Sequence, residues 1–227
     1  MALNESKGNM YSWITHTWNT VKGECPHGCT YCYMHRWGKQ RPVRFDESEL
    51  KTDLGSGNFI FVGSSCDLFA NGIDRDWITK TLNHCSKFDN TYLFQSKNTG
   101  NMYRYIPLLP LKSRLCTTFE TNRWMPEIMK DSPKPINRLQ WAYAFRDHLM
   151  KKQDFELYIT MEPIMDFDIG PVVQMLSQCK PIQVNIGADS GNNHLPEPSK
   201  GKLLELIAEL KRFTVIDQKR NLNRLLR

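Results

Sequence analysis

Short apolar runs rich in Val, Ile, Phe, Tyr and Thr alternate along this chain with longer amphipathic segments. The runs predict strands over 15–21 (THTWNTV), 58–63 (NFIFVG), 91–95 (TYLFQ), 113–118 (SRLCTT), 155–161 (FELYITM) and 181–186 (PIQVNI). Helical spacing predicts helices over 74–87, 135–150 and 199–212. In the second, Ile136, Leu139, Tyr143 and Leu149 repeat near a 3.6-residue period behind a proline suited to the first turn. In the third, Leu203, Leu204, Ile207 and Leu210 form the stripe, and Ser199 is placed to cap it.

Alternating strands and helices imply an α/β fold with a parallel sheet and right-handed crossovers. Periodicity leaves open whether the sheet is doubly wound or a barrel. Both forms place chemistry at the carboxyl ends of the strands. Polar residues gather there: Ser64, Ser65 and Asp67; Ser96, Lys97 and Asn98; Glu120 and Asn122; Glu162; Asp189 and Asn192.

At 227 residues with 40% hydrophobic and 24% charged content, the chain reads as one domain, 1–227, with its core over about 12–212 and a basic C-terminal tail over 213–227. A single core of this size buries roughly 70% of the surface that the unfolded chain exposes. No run approaches the ~20 apolar residues of a membrane span, and the start MALNESKGNM lacks the features of a signal peptide. The expectation is a cytoplasmic protein with no membrane partner.

The formal charge of +6 is clustered, with His35, Arg36, Lys39, Arg41 and Arg44 near the cysteines and Lys211, Arg212, Lys219, Arg220, Arg224 and Arg227 at the end. Such patches attract phosphates, although a solvated surface and a frayed tail account for them equally well.

Cysteine usage narrows the chemistry. Three of the seven cysteines fall within eight residues, which points to metal binding in a reducing compartment rather than to a disulfide framework. In Glu24-Cys25-Pro26-His27-Gly28-Cys29-Thr30-Tyr31-Cys32-Tyr33 the spacing is C-x3-C-x2-C. Three thiolates can bind three irons of a cubane and leave the fourth with an open coordination position. Zinc is the main alternative, because His35 could complete a Cys3His site.

The motif, following a first strand, resembles the radical S-adenosylmethionine (SAM) superfamily. The runs Phe61-Val62-Gly63-Ser64-Ser65-Cys66-Asp67-Leu68-Phe69, Leu93-Phe94-Gln95-Ser96-Lys97, Thr160-Met161-Glu162-Pro163-Ile164 and Asn185-Ile186-Gly187-Ala188-Asp189-Ser190-Gly191 resemble a phage- and prophage-associated branch related to spore photoproduct lyase. The similarity runs from about residue 12 to residue 212.

The resemblance implies a partial (β/α)6 TIM-like barrel that holds a [4Fe-4S] cluster on Cys25, Cys29 and Cys32, with S-adenosyl-L-methionine across its mouth. It also implies a low-potential electron donor of flavodoxin or ferredoxin type. By position, Tyr31 would lie near the adenine, and Gly63, Ser64 and Ser65 would receive the methionyl amino group. Glu120 and Asn122 would meet the ribose hydroxyls or the methionyl group, Glu162 would meet ligand or a loop amide, and Ile186 and Gly187 would flank the adenine.

Asp67 departs from the glutamate usual in that turn and reads equally as a helix cap. Cys66, at a strand end, is the candidate hydrogen donor to a product radical, ahead of Cys116. Each also reads as an ordinary core cysteine, as do Cys85 and Cys179. Lys97 could meet a phosphate or be solvated. Trp13, Trp18 and Trp37 could stack a base, with two of them expected in the core. A nucleotide or nucleic acid is the expected substrate class. A zinc- or cluster-stabilised nucleic-acid-binding module without catalysis, and a redox relay with a fourth protein ligand, are the competing readings.

Overall fold

A computed structural model describes residues 3–149 and 155–227, with the side chains of 147–149 outside the description. Its strands are β1 Asn4–Glu5, β2 His16–Trp18, β3 Val21–Lys22, β4 Arg44–Phe45, β5 Phe59–Val62, β6 Thr91–Ser96, β7 Ser113–Thr118, β8 Glu156–Met161, β9 Gln183–Ile186 and β10 Val215–Gln218. Its helices are α1 Arg75–Cys85, α2 Thr99–Tyr103, α3 Pro126–Met129, α4 Pro135–Leu149, α5 Ile169–Cys179, α6 Lys200–Leu210 and α7 Asn223–Leu226.

Eight strands form one sheet in the order β1-β2-β5-β6-β7-β8-β9-β10, and β3–β4 is a separate hairpin. Only β1 runs antiparallel to its neighbour in the main sheet. Among the described residues no helix is long and apolar enough to cross a membrane.

The outer face of the sheet is apolar, whereas the inner face is apolar over only part of its width and elsewhere carries Gln95, Thr118, Thr160 and Asn185. On the outer face Ile60, Val62, Phe94, Leu115, Ile159 and Val184 pack with helix residues such as Ile78, Leu82, Phe145, Leu176 and Leu206. On the inner face Phe61, Leu93 and Cys116 pack with Tyr11 and Ile14 from the segment before β2. That segment also shows that the sheet curls. Asn9 Nδ2 donates to Glu162 beyond β8 (3.0 Å), and Lys219 beyond β10 lies 4.6 Å from the Tyr11 ring centroid. One edge of the sheet thus reaches residues beyond the other, and the expected partial barrel is the architecture observed.

Four expectations are corrected. The strand expected over 15–21 stops at Trp18, because Asn19 accepts from Ser65 N (2.9 Å) and Ser64 Oγ (3.2 Å) and so turns the chain against the β5 loop. In α4 the buried face is Arg138, Leu139, Ala142 and Phe145, whereas Ile136 and Tyr143 are exposed; Leu149 lies outside the residues whose side chains are described. In α6, Leu206 replaces the exposed Leu204 on the buried stripe, while Ser199 does cap the helix. The segment 213–227, expected as a basic tail, carries β10, which pairs in parallel with β9, and α7. A four-residue edge strand flanked by charges has too little apolar alternation to be read from sequence.

Candidate active site

The cysteine loop lies between β3 and β4. Two tight turns shape it, with Gly28 N donating to Cys25 O and Cys32 N to Cys29 O, both at 3.1 Å. Its far side is held by α3, where Thr30 N donates to Ile128 O (3.0 Å) and Cys29 Sγ approaches Met129 O (3.6 Å). Tyr31, Met129, Met165 and Leu195 enclose Cys29 in a small apolar cluster. All seven cysteines are free thiols.

Burial pushes the Cys29 and Cys32 thiols up, and Cys25 and Cys29 raise Cys32 further, so the three lie within electrostatic range of one another. Interaction with Cys66, helped by His27, brings Cys25 down to about 6 against the effect of burial, while the same interaction together with burial pushes Cys66 up. This donor set fits a cubane, in which each thiolate binds a different iron and the sulfurs need not converge on one point. No three His, Cys, Asp or Glu side chains converge on a single-ion site among the described residues. His35, the fourth ligand of a zinc reading, turns its Nδ1 to Thr30 O (3.2 Å).

Asp67 ties this loop to the strand ends. Its Oδ2 meets His27 Nε2 (2.8 Å), Ser96 Oγ (3.0 Å) and Lys97 N (2.8 Å), and its Oδ1 accepts from Phe69 N (3.0 Å). Burial would raise the carboxyl, but His27 and these donors outweigh it and hold it low. The cap reading of Asp67 was therefore too local, since the residue joins three loops.

Beside the cysteines, Glu120 and Arg138 form an ion pair at 2.8 Å with both side chains at 0% exposure. Lys97 Nζ stands 3.4 Å from Glu120 and over the Tyr31 ring, and Tyr31 OH donates to the same carboxylate. Burial pushes the Glu120 carboxyl up, but Arg138, Lys97 and Tyr31 hold it down at about 2. Arg138 also donates to Pro133 O and Thr118 O. Nothing in the sequence marks Arg138, because an arginine in an amphipathic helix reads as its solvent face.

A second group stands at the mouth around Glu162, which accepts from Lys219 Nζ (2.6 Å), Asn9 Nδ2 (3.0 Å) and Asn221 Nδ2 (3.1 Å). Gly187 faces it, and a Cβ there would lie 2.7 Å from Glu162 Oε1. Gly187→Ala is therefore expected to displace a carboxylate held by three donors, at a cost of about 1–3 kcal/mol in chemical denaturation. Pairing it with Glu162→Ala should recover most of that loss. Equal losses in the presence and absence of the glutamate would rule this contact out as the cause.

The remaining expected residues disperse. Asn122 is engaged in a two-way clamp with Asp168, donating to Oδ2 and accepting from the backbone N at 3.0 Å each. Ile186 points into the outer core, on the face opposite Asn185 and Gly187. Asp189 accepts from Gly191 N and Asn193 N in its own loop. Ser64 and Ser65 stay with Asn19, and Gly63 adopts φ 79° where a Cβ would crowd Leu68. Cys66 lies against Cys25, whereas Cys116 is in the inner core. Trp18 is buried in the outer core, Trp13 is half-buried against the inner cluster and Trp37 is 60% exposed. Sequence reading missed His27, Tyr11, Lys219 and Asn221.

The chain matches no protein-family model and none of the curated proteins. Among solved structures, it is similar to a spore photoproduct lyase double mutant with bound AdoMet and dinucleoside spore photoproduct, at TM-score 0.64 and 11% identity over 95% of this chain and 80% of that one. A single mutant of the same lyase gives 0.63 and 11% over 92% and 78%. SuiB of Streptococcus suis bound to S-adenosylmethionine gives 0.53 and 10% over 89% of this chain and 49% of that one. At such identities the likeness establishes the fold, a partial TIM-like barrel of the kind those enzymes share.

Proposed function

We propose that this chain is a radical SAM enzyme, holding a [4Fe-4S] cluster on Cys25, Cys29 and Cys32 and S-adenosyl-L-methionine against Tyr31 and the turn Gly63–Ser65. When bound, the cluster supplies the electron that cleaves SAM to methionine and a deoxyadenosyl radical, which takes hydrogen from substrate. The observation that carries this reading is the loop of three unbridged cysteines tied, through Asp67, to the carboxyl ends of β5 and β6 in a parallel partial barrel, where such folds do their chemistry.

The chain's own residues have definable tasks in this reading. Tyr31, Met129, Met165 and Leu195 keep water from Cys29. Arg138 and Lys97 hold Glu120 ionised beside the cofactor space. Cys66 enters as the partner of Cys25, and its place beside that ligand weighs against a separate role as hydrogen donor. A nucleotide or nucleic acid is the substrate class we favour, supported by the basic residues after Cys32 and by the dinucleoside bound in the similar lyase structure. The low potential required calls for a flavodoxin- or ferredoxin-type donor.

The test is anaerobic reconstitution with iron and sulfide, followed by dithionite and SAM. Release of deoxyadenosine is the expected result. A colourless zinc protein that releases none would overturn the enzyme reading and leave a nucleic-acid-binding module.

A further inference from the structure

From Cys25 to Phe45 the sequence contains no Asp or Glu but has Arg36, Lys39, Arg41 and Arg44. The fold gathers these residues on one face. A cleft of about 370 Å³ is lined by Lys39, Arg41, Arg44, Met34, Trp37 and Ser65. Arg36, Lys39, Arg41 and Arg44 are exposed, and among the described residues none of them forms a salt bridge. That differs from the other lysines and arginines that stand near carboxylates, such as Lys22, which is held by Asp46 and Glu49.

An exposed aromatic pair adjoins these charges. Tyr33 and Trp37 meet edge to face at 5.9 Å, and the Arg36 guanidinium lies 5.4 Å from the Trp37 ring centroid. Trp37 is 60% exposed, so it has ring surface to offer a ligand. The platform is also anchored. Tyr33 OH donates to Ser64 O, and Glu24 N donates to Arg41 O at 2.8 Å. Gly23 permits that approach, since a Cβ there would lie 2.5 Å from Pro42 O. Ser65 lines the cleft and belongs to the turn that Tyr33 joins to the cysteine loop, so the cleft adjoins that turn.

We infer that this cleft binds single-stranded nucleic acid, with Arg41, Arg44 and Lys39 on backbone phosphates and Trp37 stacked on a base. A compact set of unpaired cations gives affinity for a polyanion, and an open indole gives a sequence-tolerant contact that only an unpaired base can use. The inference rests on the proposed enzyme activity only for what happens to the strand once it is bound.

The test is fluorescence anisotropy with labelled single-stranded DNA and RNA oligonucleotides, and a duplex of the same sequence, on the full chain over a range of salt. Trp37→Ala should weaken single-strand binding about tenfold at fixed salt, with Trp37→Phe retaining much of it. Arg41→Ala/Arg44→Ala should flatten the salt dependence of log K by about 1.4, from about 0.7 per lost phosphate contact. Arg220→Ala/Arg227→Ala removes the same charge elsewhere and should leave both unchanged.

Equal loss in the Arg220/Arg227 control, or equal affinity for the duplex, would overturn the inference, as would capture of an acidic flavodoxin with no oligonucleotide binding. A chain that cleaves SAM but binds no strand overturns this inference alone. One that binds strands through Trp37 but never cleaves SAM overturns the proposed activity and keeps the cleft.

Discussion

A Cys29→Ala chain is expected to leave anaerobic reconstitution without a stable cluster, and its deoxyadenosine release is expected to fall to that of a no-enzyme control. Cys29 is the most informative of the three positions because it is the buried one, enclosed by Tyr31, Met129, Met165 and Leu195. Cys25 and Cys32 are half-buried, and water or an added thiol can reach their places. With Cys29 removed, its place is enclosed by a cluster that contains no second thiol to take over. Iron and sulfide content and the visible spectrum report the loss directly, before any turnover is assayed. Cys85→Ala supplies the control, since that thiol is buried in the outer core with Leu82 and Ile78. Retention of a full cluster in Cys29→Ala would show that the thiols of this loop do not bind as proposed.

Arg138→Met should destabilise the fold by about 3–5 kcal/mol, because it leaves the Glu120 carboxylate buried without its main counter-charge. Lys97 at 3.4 Å and Tyr31 remain, but neither replaces the 2.8 Å contact of the guanidinium or its bonds to Pro133 O and Thr118 O. The double variant Glu120→Gln/Arg138→Met should recover a large part of the loss in urea unfolding, since the buried carboxylate is then gone and only Lys97, whose side chain keeps some exposure, gives up its partner. A single-variant loss below about 1 kcal/mol would mean that the pair is more hydrated than its burial indicates.

The same pair sets an acid limit. Glu120 ordinarily titrates near 4.5 and is held at about 2 in the fold, so its contribution is complete above the ordinary value and is lost as pH falls toward 2. That contribution is about 3 kcal/mol. Wild type should therefore lose stability steeply between those limits, and Glu120→Gln/Arg138→Met should have a flatter profile there.

The legible parts of the molecule share a property. The strands 58–63, 91–95 and 155–161 are built mostly of apolar and β-branched residues because their outer face is buried against helices, whereas 113–118 is legible only through Leu115, Cys116, Thr117 and Thr118. β10 lies at an edge and β2 ends where Asn19 reaches a loop 45 residues away, and neither event leaves a local pattern. The α4 stripe failed for a similar reason, because periodicity assigns Arg138 to solvent and cannot know that Glu120 waits for it across the core.

By itself the sequence determined the alternation of strand and helix, the three clustered thiols and the collection of polar groups at strand ends, because these depend on local spacing and on parallel strands all ending on the same side. Only the tertiary structure decided how those groups are used. It locked Glu120 to Arg138, spent Asn122 on Asp168, turned Ile186 to the outer core, set Cys66 against Cys25 and brought Lys219 to Glu162. A side chain's partner is chosen by curvature, crossover and the face on which it emerges, and these are settled by contacts between residues far apart in the chain.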